Sequence, residues 1–132
     1  MNKYEELIAE YENVLYIREK PMHNDALYCD GNICINSALP QINKRCLLAE
    51  EIGHHKRTVG NILDQSKTDN IRQELKARAW AYEELCPIEN ILFAIKDGHC
   101  EIWDMAEYLD LTEDFLKEAI EYYIRKAVLI FD

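Results

Sequence analysis

The spacing of apolar and polar residues along the chain predicts a mostly helical protein with one small β-sheet near its start. Apolar residues recur three and four positions apart in several segments, a pattern typical of amphipathic helices. A polar connection around Gly60, spanning residues 58–66, separates two of these segments. Helices are therefore predicted at residues 2–13, 40–57, 67–86, 87–96, 101–109 and 112–127.

A β-hairpin is predicted at residues 26–36, preceded by a short strand at residues 14–17 and a loop at residues 18–25. Asp30-Gly31 divides two apolar runs, and a type I′ turn needs residues that tolerate positive φ at both central positions. This turn sets a register in which Cys29 opposes Asn32, Tyr28 opposes Ile33, and Leu27 opposes Cys34. The fold class predicted is α+β, with a short antiparallel sheet packed on several helices.

Length and composition indicate one globular domain. The chain has 132 residues, of which 48% are hydrophobic and 30% charged, a balance that suits a packed core. We expect a single domain at residues 1–132, with a core at about 4–96 and a C-terminal helical extension at about 97–132. No apolar run reaches the roughly 20 residues needed to cross a bilayer, so no membrane association is expected.

Charge and cysteine content limit the partners and the compartment. The net charge of −10 disfavours nucleic acid, because phosphate binding needs a basic surface. Residues 97–132 have a helix-turn-helix-like rhythm, but they hold ten acids against three Lys or Arg, which argues against direct DNA contact. A protein or peptide partner fits this charge better. The five cysteines form no C-x-x-C pair, and the odd number, with no recognisable export signal, predicts reduced thiols and a cytoplasmic location.

The helix at residues 40–57 carries the densest cluster of candidate catalytic residues. Glu50 and His54 are four apart and share one face, and Glu51 lies about 100° around the helix from Glu50. This is the spacing of the zinc-protease motif H-E-x-x-H, with Glu50 in place of the first His. The same pattern also occurs on ordinary solvated helices. Gly53 within the helix costs about 1 kcal/mol relative to Ala, and we expect it to mark close packing against another backbone.

Glu74, on the helix predicted at residues 67–86, has two competing interpretations. Its position falls within a predicted apolar face formed by Ile71, Leu75, Ala77, Ala81, Tyr82 and Leu85. A carboxylate there needs a partner or a cation. It could form an ion pair with Arg78 four residues later, or it could be a third metal ligand beside Glu50 and His54. The neighbouring motif favours the ligand.

Three segments in this order resemble the ImmA/IrrE-type metallopeptidases of phages and mobile elements. The segments are Tyr28–Asn36, Leu48–His55 and Glu74–Pro87, and the similarity extends over about residues 4–124. The resemblance implies a small zincin-like domain. It also implies a metal held by Glu50, His54 and Glu74, with Glu51 as the catalytic base. The ion would be zinc, and manganese is possible because carboxylate replaces imidazole at the first position.

The activity implied by the resemblance is metal-dependent endopeptidase cleavage of a phage-type or mobile-element repressor. The alternative is a protein of the same fold that binds a helix-turn-helix repressor without cutting it. Glu50 separates the two, since the family's usual residue at that position is His. If Glu50 does not ligate, His23 is the expected substitute, and His55 is expected to lie beside the ligands or on the surface.

Overall fold

The computed structural model describes residues 1–60 and 67–126, and for residues 57–60 and 67–73 it describes the backbone alone. This part of the chain forms an α+β fold, as predicted. In chain order its elements are α1 (Lys3–Tyr11), β1 (Tyr16–Lys20), β2 (Ala26–Cys29), β3 (Asn32–Asn36), α2 (Gln41–Gly60), α3 (Lys67–Leu85), α4 (Ile88–Lys96), α5 (Ile102–Leu109) and α6 (Glu113–Arg125). Among the described residues, no helix is both long and apolar enough to cross a membrane.

The helix boundaries follow local capping chemistry. Asn2 and Glu5 form a capping box at the start of α1, which satisfies backbone N–H groups that a first helical turn leaves free. Thr112 caps α6 by accepting a hydrogen bond from the backbone N–H of Phe115 at 3.1 Å. The end of α2 was placed too early, because the helix continues to Gly60. Residues 61–66 of the predicted polar connection lie outside the described residues.

The hairpin has the predicted register, with Cys29 opposite Asn32, Tyr28 opposite Ile33, and Leu27 opposite Cys34. Its turn uses positive φ at both Asp30 (47°) and Gly31 (81°). The cysteines of the hairpin are free thiols.

The prediction of a purely antiparallel sheet was wrong, because β1 pairs with β3 in parallel. The strand order is β1-β3-β2, which places β2 at one edge of a mixed sheet. The predicted strand at residues 14–17 was also misplaced, since β1 begins at Tyr16 and runs through Arg18, Glu19 and Lys20. These charged residues give no alternating apolar pattern, and charged side chains are common on edge strands.

The core lies between the sheet and the helices. Ile33 and Ile35 of β3 are fully buried in one cluster with Leu48 and Ile52 of α2, and the same cluster extends to Phe115 of α6. The buried thiols of Cys46 and Cys86 also belong to it.

The assignment of Leu75 to the apolar face of α3 was wrong. Leu75 is 57% exposed, because it lines an open cavity between α3 and α6 instead of packing in the core. The side chain of Ile71 and residues 127–132 of the predicted C-terminal extension lie outside the described residues.

The most extensive packing between helices joins α2 to α3. Gly53 is the point of closest approach, because a Cβ built there would collide with the carbonyl oxygen of Ala77. The expectation that this glycine marks close backbone packing is therefore confirmed. Only a residue without a side chain allows the two helices to come this near.

Candidate functional site

The close approach of α2 and α3 brings together two of the predicted site residues. His54 follows Gly53 directly, and Glu74 lies three residues before Ala77, which is one helical turn. The His54 Nε2 atom lies 3.2 Å from Oε2 of Glu74. Both side chains remain accessible, with 29% of His54 and 41% of Glu74 exposed. A ligand could therefore reach this pair from solvent.

Glu74 makes both of the contacts that the sequence offered as alternatives. Its second oxygen, Oε1, lies 3.2 Å from Nε of Arg78, while Oε2 faces His54. The carboxylate thus bridges an imidazole and a guanidinium. The expectation that Glu74 lies inside an apolar stripe was wrong, because the adjoining Leu75 is exposed and Glu74 sits at the margin of the helix packing.

Glu50, one helical turn before His54 on α2, lines a small acidic cavity of about 160 Å³. The pKa of its carboxyl is raised to about 7, chiefly by burial and then by Glu118 of α6, on the wall of the same cavity. Arg78 opposes this shift, and Glu51 and Glu74 add to it. No described side chain hydrogen-bonds to Glu50. A half-buried carboxylate without such a partner is costly to ionise.

The carboxyl of Glu51, the residue after Glu50, releases its proton less readily than an ordinary glutamate because its pKa is raised. Burial raises the pKa of this carboxyl, the nearby imidazole of His54 lowers it, and Glu74 raises it again. A general base works best when its pKa lies close to the working pH. His54 and Glu74 both influence Glu51 electrostatically, so this carboxyl lies near the pair.

The donor chemistry suits a divalent cation, but the three proposed ligands are only partly assembled. Two ligands of tetrahedral zinc, with bonds of about 2.1 Å, stand about 3.4 Å apart, close to the 3.2 Å between His54 and Glu74. Glu50 does not join them: in the described part of the chain, no three His, Cys, Asp or Glu side chains form a group that could hold a metal ion. The pair fits a metal site, and the triad as it stands does not complete one.

The other three histidines are not part of this pair. His23 is exposed in the loop between β1 and β2. His99 stacks on Tyr108 and lies 2.9 Å from a carboxylate oxygen of Asp104, in the region of α5. His55, next to the pair, has its Nδ1 atom 2.9 Å from the hydroxyl of Tyr28 on β2.

Several neighbours of the site could not be found from the sequence. Glu118 lies 68 positions from Glu50, and its effect depends on how α6 packs. The hydroxyl of Tyr82 donates a hydrogen bond to Glu118 at 3.0 Å, which holds that carboxylate in the cavity. No local pattern connects these residues. The contact between Arg78 and Glu74, by contrast, follows from helical spacing.

The comparisons with known proteins identify the family of this chain and no individual relative. The family model described as the IrrE N-terminal-like domain, Peptidase_M78, matches residues 9–121. This range includes the motif helix, α3 and most of α6. Comparison with curated proteins gives no significant match, and neither does comparison with solved structures.

Proposed function

Because the chain belongs to the family of IrrE N-terminal-like domains, we propose that it is a metal-dependent endopeptidase acting on a protein substrate. The observation that supports this most strongly is the pair formed by His54 and Glu74, with the carboxyl of Glu51, whose pKa is raised, close to it. From the resemblance we propose a phage-type or mobile-element repressor of the helix-turn-helix class as the substrate.

His54 and Glu74 would hold the metal, with Glu50 as the third ligand from the turn of α2 before His54. Zinc suits the imidazole, and manganese suits the two carboxylates. When bound, the ion supplies Lewis-acid chemistry to a peptide carbonyl. The pKa of Glu50, raised to about 7, means that this carboxyl is partly protonated at neutral pH and must lose its proton to ligate.

Glu51 moves the proton during hydrolysis. Its carboxylate takes a proton from the attacking water, whose oxygen bonds to the carbonyl carbon. The same carboxyl then gives the proton to the amide nitrogen as the carbon–nitrogen bond breaks, which releases a free amine and a free acid. A raised pKa suits both halves of this transfer.

The edge strand β2 offers the substrate a backbone to pair with. β2 pairs only with β3 among the described strands, so its other side can accept an extended peptide by strand addition. Such pairing holds a peptide through its main chain. A segment of a repressor that is extended or unfolds locally would suit it.

The experiment combines zinc analysis with a cleavage assay on the helix-turn-helix repressors encoded in the same genetic element. We expect one zinc per wild-type chain and loss of zinc in His54→Ala and Glu74→Gln. Glu51→Gln should keep the metal and lose cleavage, because it removes only the base. Glu84→Gln is the matched control, since it neutralises an exposed acid of α3 away from the pair and should change neither readout.

A second candidate function is a binding protein that captures the repressor without cutting it. The position of Glu50 favours it, because that carboxyl lines the cavity with Glu118 instead of joining His54 and Glu74. Wild-type protein that binds the repressor, takes up no zinc at micromolar concentration and leaves the repressor intact would establish this function. The same result would refute the peptidase proposal.

A further inference from the structure

A hydrogen bond connects the edge strand of the sheet to the motif helix. The hydroxyl of Tyr28, on β2, lies 2.9 Å from Nδ1 of His55, on α2. The two rings also meet edge to face, with centroids 5.8 Å apart. Both side chains are half-buried. The contact is therefore a packed one, and the hydroxyl adds a directional link to it.

The link is close to the proposed catalytic base. His55 and Glu51 are four residues apart, so they occupy the same face of α2 on successive turns. Tyr28 opposes Ile33 across the hairpin, and the fully buried Ile33 marks the face of the sheet that packs on the helices. The side chain of Tyr28 thus runs from the strand proposed to carry the peptide to the helix face that carries Glu51.

We propose that Tyr28, held by His55, is a positioning residue that fixes the separation between the peptide-binding edge of β2 and the carboxyl of Glu51. The inference rests on the proposed function. β2 has four residues and a single neighbouring strand among those described, so pairing with β3 alone gives it little restraint. A peptide bound along β2 moves with that strand. The distance from its scissile bond to Glu51 is then only as well defined as the distance from β2 to α2.

A second polar link between the sheet and α2 has a different position. Lys44, near the start of α2, donates a hydrogen bond to Glu19 of β1 at 2.8 Å, and the hydroxyl of Tyr4 donates to the same carboxylate at 2.8 Å. This link restrains the opposite edge of the sheet, about two helical turns before Glu51 on α2. It provides a matched comparison, because Tyr4→Phe and Tyr28→Phe each remove one hydroxyl hydrogen bond.

The kinetic test compares Tyr28→Phe with Tyr4→Phe on the same cleaved repressor. Misplacement of reacting groups lowers the rate of the bound complex, so we expect Tyr28→Phe to lower kcat about tenfold while KM changes less than about threefold. Tyr4→Phe should lower thermal stability and leave both constants unchanged. Equal kcat values for wild type and Tyr28→Phe overturn the proposal, and so does an equal fall in kcat for both variants.

A double-mutant cycle tests whether Tyr28 acts through His55. His55→Phe keeps a ring in place and removes the hydrogen bond, so it should reproduce the loss of kcat. The combined variant Tyr28→Phe/His55→Phe should lose no more than either single variant, because one interaction is removed in each case. Losses that multiply would mean that the two residues act separately, and the assignment of His55 as the support of Tyr28 would be wrong.

Amide hydrogen exchange in the metal-free protein separates a failure of this inference from a failure of the proposed function. Exchange at Ala26–Cys29 should be severalfold faster in Tyr28→Phe and unchanged in Tyr4→Phe. Unchanged exchange in β2 overturns the restraint whatever the activity. If no repressor is cleaved by wild-type protein, the peptidase proposal and the catalytic meaning of this link both fall, while faster exchange would still establish the link as a structural restraint.

Discussion

Glu50 should make the metal-free protein less stable as the pH rises through neutrality, and Glu50→Gln should remove that loss. The pKa of this carboxyl is raised from 4.5 to about 7 in the folded protein, chiefly by burial and then by Glu118. Between these two values the folded state holds a proton that the unfolded chain has released. Stability therefore falls as the pH rises from about 4.5 to about 7 and stays constant above that range.

The size of the effect follows from the same two values. The folded and unfolded pKa values of Glu50 differ by about 2.5 pH units, and each unit corresponds to about 1.4 kcal/mol. The upper limit is thus about 3.5 kcal/mol. Because part of the side chain stays in contact with solvent, screening reduces this, and we expect Glu50→Gln to stabilise the protein by about 1–3 kcal/mol at pH 8 and by almost nothing at pH 4.

Urea unfolding with a chelator present, repeated from pH 4 to pH 8, measures the difference between wild type and Glu50→Gln. Glu84→Gln provides the control, since this acid is exposed on α3. Its difference from wild type should not change over the same range. If the difference in free energy of unfolding between wild type and Glu50→Gln does not change with pH, Glu50 ionises as a normal glutamate. The conclusion that its carboxyl is desolvated in the acidic cavity would then be refuted.

Three further substitutions test the packing around the site, each by urea unfolding. Gly53→Ala should destabilise by about 2 kcal/mol, because overpacking against the carbonyl of Ala77 outweighs the helix propensity gained; stability equal to wild type would contradict the close approach of α2 and α3. Lys44→Met should lower the free energy of unfolding by about 2 kcal/mol, because it removes the ion-pair partner of Glu19, a lysine whose side chain is only 7% exposed. A decrease below about 0.5 kcal/mol would contradict this. Thr112→Ala should lower the free energy of unfolding by about 1 kcal/mol, because it removes the N-terminal cap of α6. Thr112→Ser should lower it much less, because serine keeps the capping oxygen.

Local chemistry explains what could be predicted from the sequence. The turn at Asp30-Gly31 fixed the hairpin register, because only residues tolerant of positive φ fit both positions. The capping role of Thr112 required nothing beyond its position before an apolar stripe. The close packing at Gly53 could be expected because a glycine within a helix has an energetic cost that a neighbouring backbone can justify.

Features that depend on distant packing could not be predicted. The parallel pairing of β1 with β3 joins residues far apart in sequence, and the charged strand gave no alternating pattern. Periodicity assigned Leu75 to the core because it counts spacing alone, whereas burial depends on whether another element covers that face. The influence of Glu118 on Glu50 arises for the same reason, from the packing of α6 over the cavity.

With Glu50 at the first position of the motif, the site holds more acidic than basic side chains. Glu50, Glu51 and Glu74 lie near one imidazole and the guanidinium of Arg78, and the pKa values of Glu50 and Glu51 are raised chiefly by burial and further by neighbouring carboxylates. A divalent cation would relieve this imbalance. Arg78 need not leave for such an ion to bind, because it contacts Oε1 of Glu74 while Oε2 faces His54. The guanidinium can therefore orient the carboxylate for a metal, as groups hydrogen-bonded to metal ligands commonly do.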